Sequence, residues 1–316
     1  MTDARPRDAT EPPIDPMIER RALSFFDAEQ LTAAIREAAL EHRQLEAGAF
    51  TGELIALTAG PVILNSGCYS RTLRARGCLP EEAVIVGAIL EADRDGCING
   101  YRFGARDLIC YPAGAELDYL LPGRTRWAAL QLPRTMLRDL DLSPALFAKP
   151  RVFSASLPGC ARVVSRLARL VGTGLGVSFS DWMEEIAALA DELRQLAGHS
   201  LGLHARPSYA ERMRQLRLFE QLVHARIGED LRIPRLCDTI GVAQRTLEQA
   251  FQEQLGLSPR RYLTILRLHA ARNALLRGMD ADIATIAASF GMRHPGRFAT
   301  EYRNLFGESP SATGRG

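Results

Sequence analysis

No stretch of this chain is apolar for long enough to span a bilayer. Apart from one glycine, the longest apolar run is "AVIVGAIL" at 83 to 90, far short of the ~20 residues that a membrane-crossing helix needs. The opening "MTDARPRDATEPPIDP" mixes acids, arginines and four prolines and has no apolar stretch of the signal-peptide kind. Residues 1–16 cannot bury enough apolar area to offset ordering, so a disordered tail is expected. No membrane partner is expected, and a cytoplasmic location follows.

Cysteine is sparse. The six (Cys68, Cys78, Cys97, Cys110, Cys160 and Cys237) contain no C-x-x-C pair, and the six histidines show no ligand spacing with them. A disulfide framework and a zinc site are therefore unexpected. The thiols are expected to pack as small apolar residues, and no metal and no cofactor are expected. A hydrolase is also unsupported, because "GCYSRT" gives no G-x-S-x-G context. No catalytic residues are assigned, and the chain is not expected to be an enzyme.

Charge is nearly balanced, at +2 overall, but unevenly placed. Residues 206–316 hold 17 arginines against 11 acids, while the rest of the chain holds 22 basic and 26 acidic residues. The basic end is the candidate partner of a polyanion.

Residues 50–132 carry short apolar or alternating runs, "ELIALTA", "PVILNSGCY", "AVIVGAILEA", "DLICYPA" and "WAALQLP", divided by Gly, Pro and Asp signals. This spacing predicts a small β sandwich or barrel. A helix is expected before it, over 28–42, with Leu31, Ile35, Ala38 and Ala39 on one face. From 134 to 198 the pattern turns helical, with Ile186, Leu189, Leu193 and Leu196 at helical spacing, to pack on the sheet or on a second copy. "GHSLGLHARP" reads as a linker.

"SYAERMRQLRLFEQLV" follows, with Ser208 and Glu211 spaced as a capping box and Tyr209, Met213, Leu216, Phe219 and Val223 as a core stripe. "IPRLCDTIGVAQRTLEQAFQEQLG" then divides into a short helix from Pro234, a turn at Gly241 and a second helix closed by Gly256, the helix-turn-helix arrangement. Leu236 and Ile240 would meet Leu247, Ala250 and Phe251. The opposite face carries Gln244, Arg245, Glu248, Gln249 and Gln252, side chains that match base edges in a major groove.

The same grammar returns 51 residues later in "DADIATIAASFGMRHPGRFATEYRNLFG". Leu247 corresponds to Phe298, Phe251 to Tyr302, Leu255 to Phe306, Gly256 to Gly307 and Ser258 to Ser309. "LGLSP" and "FGESP" each close one helix on glycine and open another with serine and proline. Between the copies, "SPRRYLTILRLHAARNALLRG" is apolar around most of its circumference, as a helix buried between two subdomains would be.

These elements resemble the AraC/XylS family of bacterial transcription regulators, over about residues 210 to 314. The resemblance rests on "GVAQRTLEQAF", "LGLSPRRYLTILRLHAARNALL", "IATIAASFGM" and "RFATEYRNLFGESP". It implies a regulator that binds double-stranded promoter DNA through both units and commonly activates transcription through contact with RNA polymerase. By position, Arg245, Glu248 and Gln249 fall where the first recognition helix reads bases, with Gln244 beside them on the same polar face. The second copy holds Pro295, Gly296 and Thr300 in those places, a weak base-reading face with Thr300 as its remaining DNA contact, so His294, Arg297 and Arg303 are expected mainly to position the protein on phosphates. Ala243 replaces the usual serine cap.

The resemblance further implies a sensing or dimerising N-terminal domain, hence a homodimer and a small-molecule effector. Tyr101, Phe103, Tyr111, Tyr119 and Trp127 are its candidate contacts. A protein partner in place of the effector is the alternative. The family's DNA-repair methyltransferase relatives need a clustered cysteine zinc site, which the scattered cysteines do not supply. The expected fold class is α+β: a β-rich, cupin-like sensing domain with a helical extension over 17–198, a linker over 199–207, and an all-α DNA-binding domain over 208–316 with two helix-turn-helix units joined by a linker helix.

Overall fold

The computed structural model describes residues 18–25, 27, 28, 30, 31, 39–173, 178–197 and 207–314. The expected N-terminal tail and most of the expected linker lie outside them.

Seven strands form one sheet: β1 (Glu19–Phe25), β3 (Gly52–Ala59), β4 (Val62–Tyr69), β6 (Ala83–Glu91), β9 (Leu108–Tyr111), β11 (Arg126–Pro133) and β12 (Arg151–Phe153), in the order β1-β3-β4-β11-β6-β9-β12. Five more form a second sheet: β2 (Ala39–Gln44), β5 (Leu73–Cys78), β7 (Gly96–Ile98), β8 (Tyr101–Phe103) and β10 (Glu116–Leu121), in the order β2-β5-β10-β7-β8. The described pairings are antiparallel.

The larger sheet is buried on both faces. On β6 and β11, Ile85, Ile89, Trp127 and Ala129 face the smaller sheet, while Val84, Val86, Leu130 and Leu132 face α1 (Pro158–Thr173) and α2 (Phe179–Ala197). The stripe Ile186, Leu189, Leu193 and Leu196 packs there. It is therefore used inside one chain.

Three local expectations fail. The helix over 28–42 gives way at Ala39 to β2, because Leu40 and His42 point inward and alternate with more open Glu41 and Arg43. Leu31 is buried, whereas Ile35 and Ala38 lie outside the described residues. The β region is wider than 50–132: β1 and β2 precede it, β12 follows by pairing with β9, and two single-turn 3-10 helices stand at Arg134–Leu137 and Pro144–Phe147. The helix expected to be capped at Ser208 begins earlier. Helix α3 (Pro207–Ala225) starts before Ser208, and the Glu211 carboxylate accepts from Arg214 at 2.8 and 2.9 Å and from Gln215 at 3.1 Å. Of the cysteines, Cys110, Cys160 and Cys237 are buried, Cys68 and Cys97 half-buried, and Cys78 exposed.

The C-terminal domain continues with α4 (Ile233–Ile240), α5 (Gln244–Leu255), α6 (Pro259–Leu276), α7 (Ile283–Ser289), α8 (Pro295–Phe306) and α9 (Pro310–Thr313). Leu236, Leu247, Ala250 and Phe251 of the first unit and Ile286, Ala287, Phe298 and Tyr302 of the second share one core with Phe219 of α3 and Ile265 and Leu268 of α6. Both recognition helices end on a left-handed glycine, Gly256 at φ +66° and Gly307 at φ +77°. Ser258 and Ser309 then cap the following helices by accepting from Arg261 and Ala312, each at 3.2 Å. No helix among the described residues is long and apolar enough to cross a membrane.

Candidate functional site

A groove of about 700 Å³ runs between α5 and α8 and is lined on the third side by the first turns of α6. Gln244 and Glu248 enter it from α5, Arg260, Thr264 and Arg267 from α6, and Arg297 and Glu301 from α8. Arg232, Arg293 and His294 enter from the turns that precede α4 and α8. The first turns of α4, α5, α6 and α8 all border this space. Their positive dipole ends border the same volume as five arginines, set against the three acids Asp230, Glu248 and Glu301, an arrangement that favours an anion.

Of the residues expected to meet DNA, Gln244, Glu248, His294 and Arg297 line the groove. Arg245, Gln249, Thr300 and Arg303 are exposed on the same two helices but outside the lining. Intrahelical bonds orient the polar face of α5: Gln244 donates to Glu248 and Gln249 to Glu253, each at 2.8 Å. Ala243 stands at the cap of α5 without a side-chain bond. Sequence reasoning missed Arg232, Arg260 and Arg293. Each sits within two residues of a helix start, a position that the capping pattern already marked.

The other end of the helical domain is docked on the smaller sheet. Arg74 on β5 donates to Asp118 of β10 at 2.8 and 3.0 Å, to Glu220 of α3 at 2.6 Å and to the Tyr262 hydroxyl of α6 at 2.7 Å. Arg76 reaches Glu220 at 2.9 Å, and Tyr262 donates to the same carboxylate. Burial alone would raise the Glu220 pKa, but the Arg74, Arg43 and Arg76 charges hold it below the usual carboxylate value.

A second contact grips the far end of α8. Gln44 donates to the Leu305 carbonyl at 2.7 Å, Gly48 to that of Asn304 at 2.9 Å, and His269 bonds the Gln44 carbonyl at 2.9 Å. A side chain at Gly307 would lie 2.6 Å from the Ala49 nitrogen, so the helix-ending glycine also permits the docking. Tyr209, expected in the helical core alone, also covers Gly100 in the turn between β7 and β8.

Between the two sheets lies a cavity of about 120 Å³. Tyr111, Tyr119 and Trp127 line it together with Leu40, Ile85, Ile89, Ile98 and Ile109. Tyr101 and Phe103 do not: Phe103 is buried against Gly96, and Tyr101 packs at the margin of the inter-sheet core. The Tyr119 hydroxyl bonds His42 at 3.1 Å, and burial pushes the His42 pKa down to about 4, so the ring is neutral near pH 7.

Two helix-turn-helix units in tandem, joined by a buried helix and opening on one basic groove, are matched by a helix-turn-helix domain model over residues 236–316. A solved transcriptional regulator with an AraC-type DNA-binding domain, from Chromobacterium violaceum, is 30% identical over 34% of this chain and 94% of its own, with a TM-score of 0.32. Through its C-terminal domain the chain belongs to the AraC/XylS family. The "Probable thc operon regulatory protein" of Rhodococcus erythropolis is 39% identical over 98 residues, 30% of each chain. The "XylDLEGF operon transcriptional activator" of Pseudomonas putida is 31% identical over 96 residues, 29% of this chain and 30% of that one. The match thus spans about 30% of the length of these family members.

Proposed function

We propose that the chain is a sequence-specific, promoter-binding transcription regulator, an activator in action, whose N-terminal domain responds to a small molecule. The observation that carries the reading is the groove between α5 and α8. Five arginines and four helix starts border it, and the polar face of α5 stands exposed beside it. Arg232, Arg260, Arg293 and Arg297 would hold the phosphate backbone between two major grooves, with His294 and Arg303 adding to the grip on the second unit. Gln244, Arg245, Glu248 and Gln249 would read base edges, and Thr300 would add a minor contact from the second helix. Activation is supported by the name of the Pseudomonas putida relative, an operon transcriptional activator, and contact with RNA polymerase would carry it.

The cavity supports the effector part of the reading, with Tyr111, Tyr119 and Trp127 as contacts. In a homodimer, the second copy would meet a largely polar surface. Among the described residues Leu276 and Met279 are the exposed large apolar side chains, and the α2 stripe already packs on the sheet.

The test is capture of fragmented genomic DNA by the full-length protein at about 150 mM salt, where non-specific phosphate binding is weakened. Enrichment of a few promoter fragments sharing a repeated site supports the proposal. Uniform recovery of all fragments sinks it.

A further inference from the structure

The cavity between the sheets has mainly apolar walls, and no charged side chain lines it. One missing side chain leaves it room: Gly87 on β6 pairs with Ala129 of β11 and Ile109 of β9, and a Cβ at Gly87 would meet nothing closer than 3.8 Å. Four polar side chains interrupt the apolar wall, the Asn65 and Gln131 amides, the Tyr111 phenol and the Trp127 indole, whose N–H lies beside the Tyr69 phenol, apart from the Tyr119 hydroxyl that His42 occupies. The Tyr111 hydroxyl is buried and has no hydrogen-bond partner among the described residues. An orphaned buried donor is unfavourable, and a ligand's acceptor would supply the missing bond.

Volume and chemistry together limit the occupant. An apolar cavity of ~150 Å³ takes up benzene, so one of about 120 Å³ fits a single ring or a short branched chain. A carboxylate or an ammonium would enter without a counter-charge, a strongly unfavourable transfer. His42, which bonds Tyr119, is neutral and supplies none.

We propose that this cavity binds an uncharged, ring-sized apolar molecule carrying one hydrogen-bond acceptor, which the Tyr111 hydroxyl receives. The proposal rests on the reading of the N-terminal domain as the sensing domain and names the ligand class. Charged aromatic acids and amines are excluded by the lining.

Calorimetric titration of the full-length protein at pH 7 with anisole, benzonitrile, toluene, benzoate and benzylamine tests it. Anisole and benzonitrile bind, toluene binds more weakly, and the two ions do not bind. Tyr111→Phe weakens anisole and benzonitrile about 3- to 10-fold, the worth of one hydrogen bond, and leaves toluene unchanged. Gly87→Leu fills the space and abolishes binding of all three neutral compounds. Benzoate or benzylamine binding as tightly as anisole, no binding of any neutral probe, or unchanged affinity in Gly87→Leu would each overturn the ligand class. Capture of promoter fragments, measured on the same preparations, separates the two readings. Intact capture with a failed titration removes the ligand proposal alone, and failed capture removes the regulator reading.

Discussion

Asp118 and Tyr119 are neighbours on β10 and face opposite sides of the sheet. The Tyr119 ring lines the cavity between the sheets, while the Asp118 carboxylate binds Arg74, which in turn holds Glu220 and Tyr262 of the helical domain. The adjoining strands repeat the division, since His42 and Ala75 pair beside Tyr119, and Glu41 and Arg76 beside Asp118. A ligand that shifts Tyr119 therefore acts on the strand that carries the docking ion pair.

Removing the charge of Glu220 should loosen that docking. Arg74 and Glu220 are both almost fully buried, and breaking such a pair from one side costs about 3 to 5 kcal/mol, because a buried charge loses its partner. Glu220→Gln is expected to lower the denaturant midpoint by an amount of that order and to split one calorimetric transition into two as the domains uncouple. Arg76→Ala serves as the comparison. Its side chain is 38% exposed, so the loss should stay within about 1 kcal/mol. Equal effects of the two substitutions would show that the buried pair does not hold the domains together.

The same division explains which strands could be read from sequence. The runs "ELIALTA", "PVILNSGCY", "AVIVGAILEA", "DLICYPA" and "WAALQLP" became β3, β4, β6, β9 and β11, all in the sheet buried on both faces, where apolar residues run nearly continuously. Strands β2 ("ALEHRQ") and β5 ("LRARGC") escaped because their outer faces carry Glu41, Arg43, Arg74 and Arg76 for the docking surface. Strict alternation survives there, but with charge on a face that only the second domain covers. The helical domain was legible because its two units repeat in register and its caps are local: Gly256, Ser258, Gly307 and Ser309 each act within one turn. The arginines of the groove were not legible, since Arg232, Arg260 and Arg293 come together only through the packing of α4, α6 and α8.

Restoring a cap to α5 should stabilise the protein. Ala243 has φ −65° and ψ 143°, close to the φ −79° and ψ 154° of Ser258, whose hydroxyl caps α6. A serine at 243 can therefore accept from the Thr246 amide as Ser258 does from Arg261. Ala243→Ser is expected to add about 1 kcal/mol, read as a higher urea midpoint with an unchanged slope. A midpoint that stays put or falls counts against the cap geometry.

Base reading and phosphate holding should separate by substitution. Arg245, exposed on α5 outside the groove, is expected to discriminate at one base pair, so Arg245→Ala should relax preference there by about 1 to 3 kcal/mol. Arg293→Ala, within the groove, should weaken specific and random DNA alike and reduce the slope of log affinity against log salt by about 0.9. Fluorescence anisotropy on a selected promoter fragment and its scrambled version, across a salt series, distinguishes them. Equal losses on both fragments for Arg245→Ala would reassign that residue to the backbone.

Acid should destabilise the N-terminal domain through His42 before the carboxylates take part. Its imidazole is buried beside Tyr119, and burial lowers its pKa to about 4 in the folded chain, against an unfolded value of ~6.5. Between those values the unfolded chain binds the proton that the folded chain refuses, so stability rises with pH across the window and is lost as pH falls from about 6.5 towards 4. A depression of this size corresponds to about 3 kcal/mol at most. Glu220 adds to the loss only lower down, because its folded pKa is held below the ordinary carboxylate value. Urea melts at pH 7 and pH 5 should therefore differ in the native chain and much less in His42→Gln, whose amide can still bond the Tyr119 hydroxyl but takes up no proton. An equal pH dependence in the two proteins would place the titrating group elsewhere.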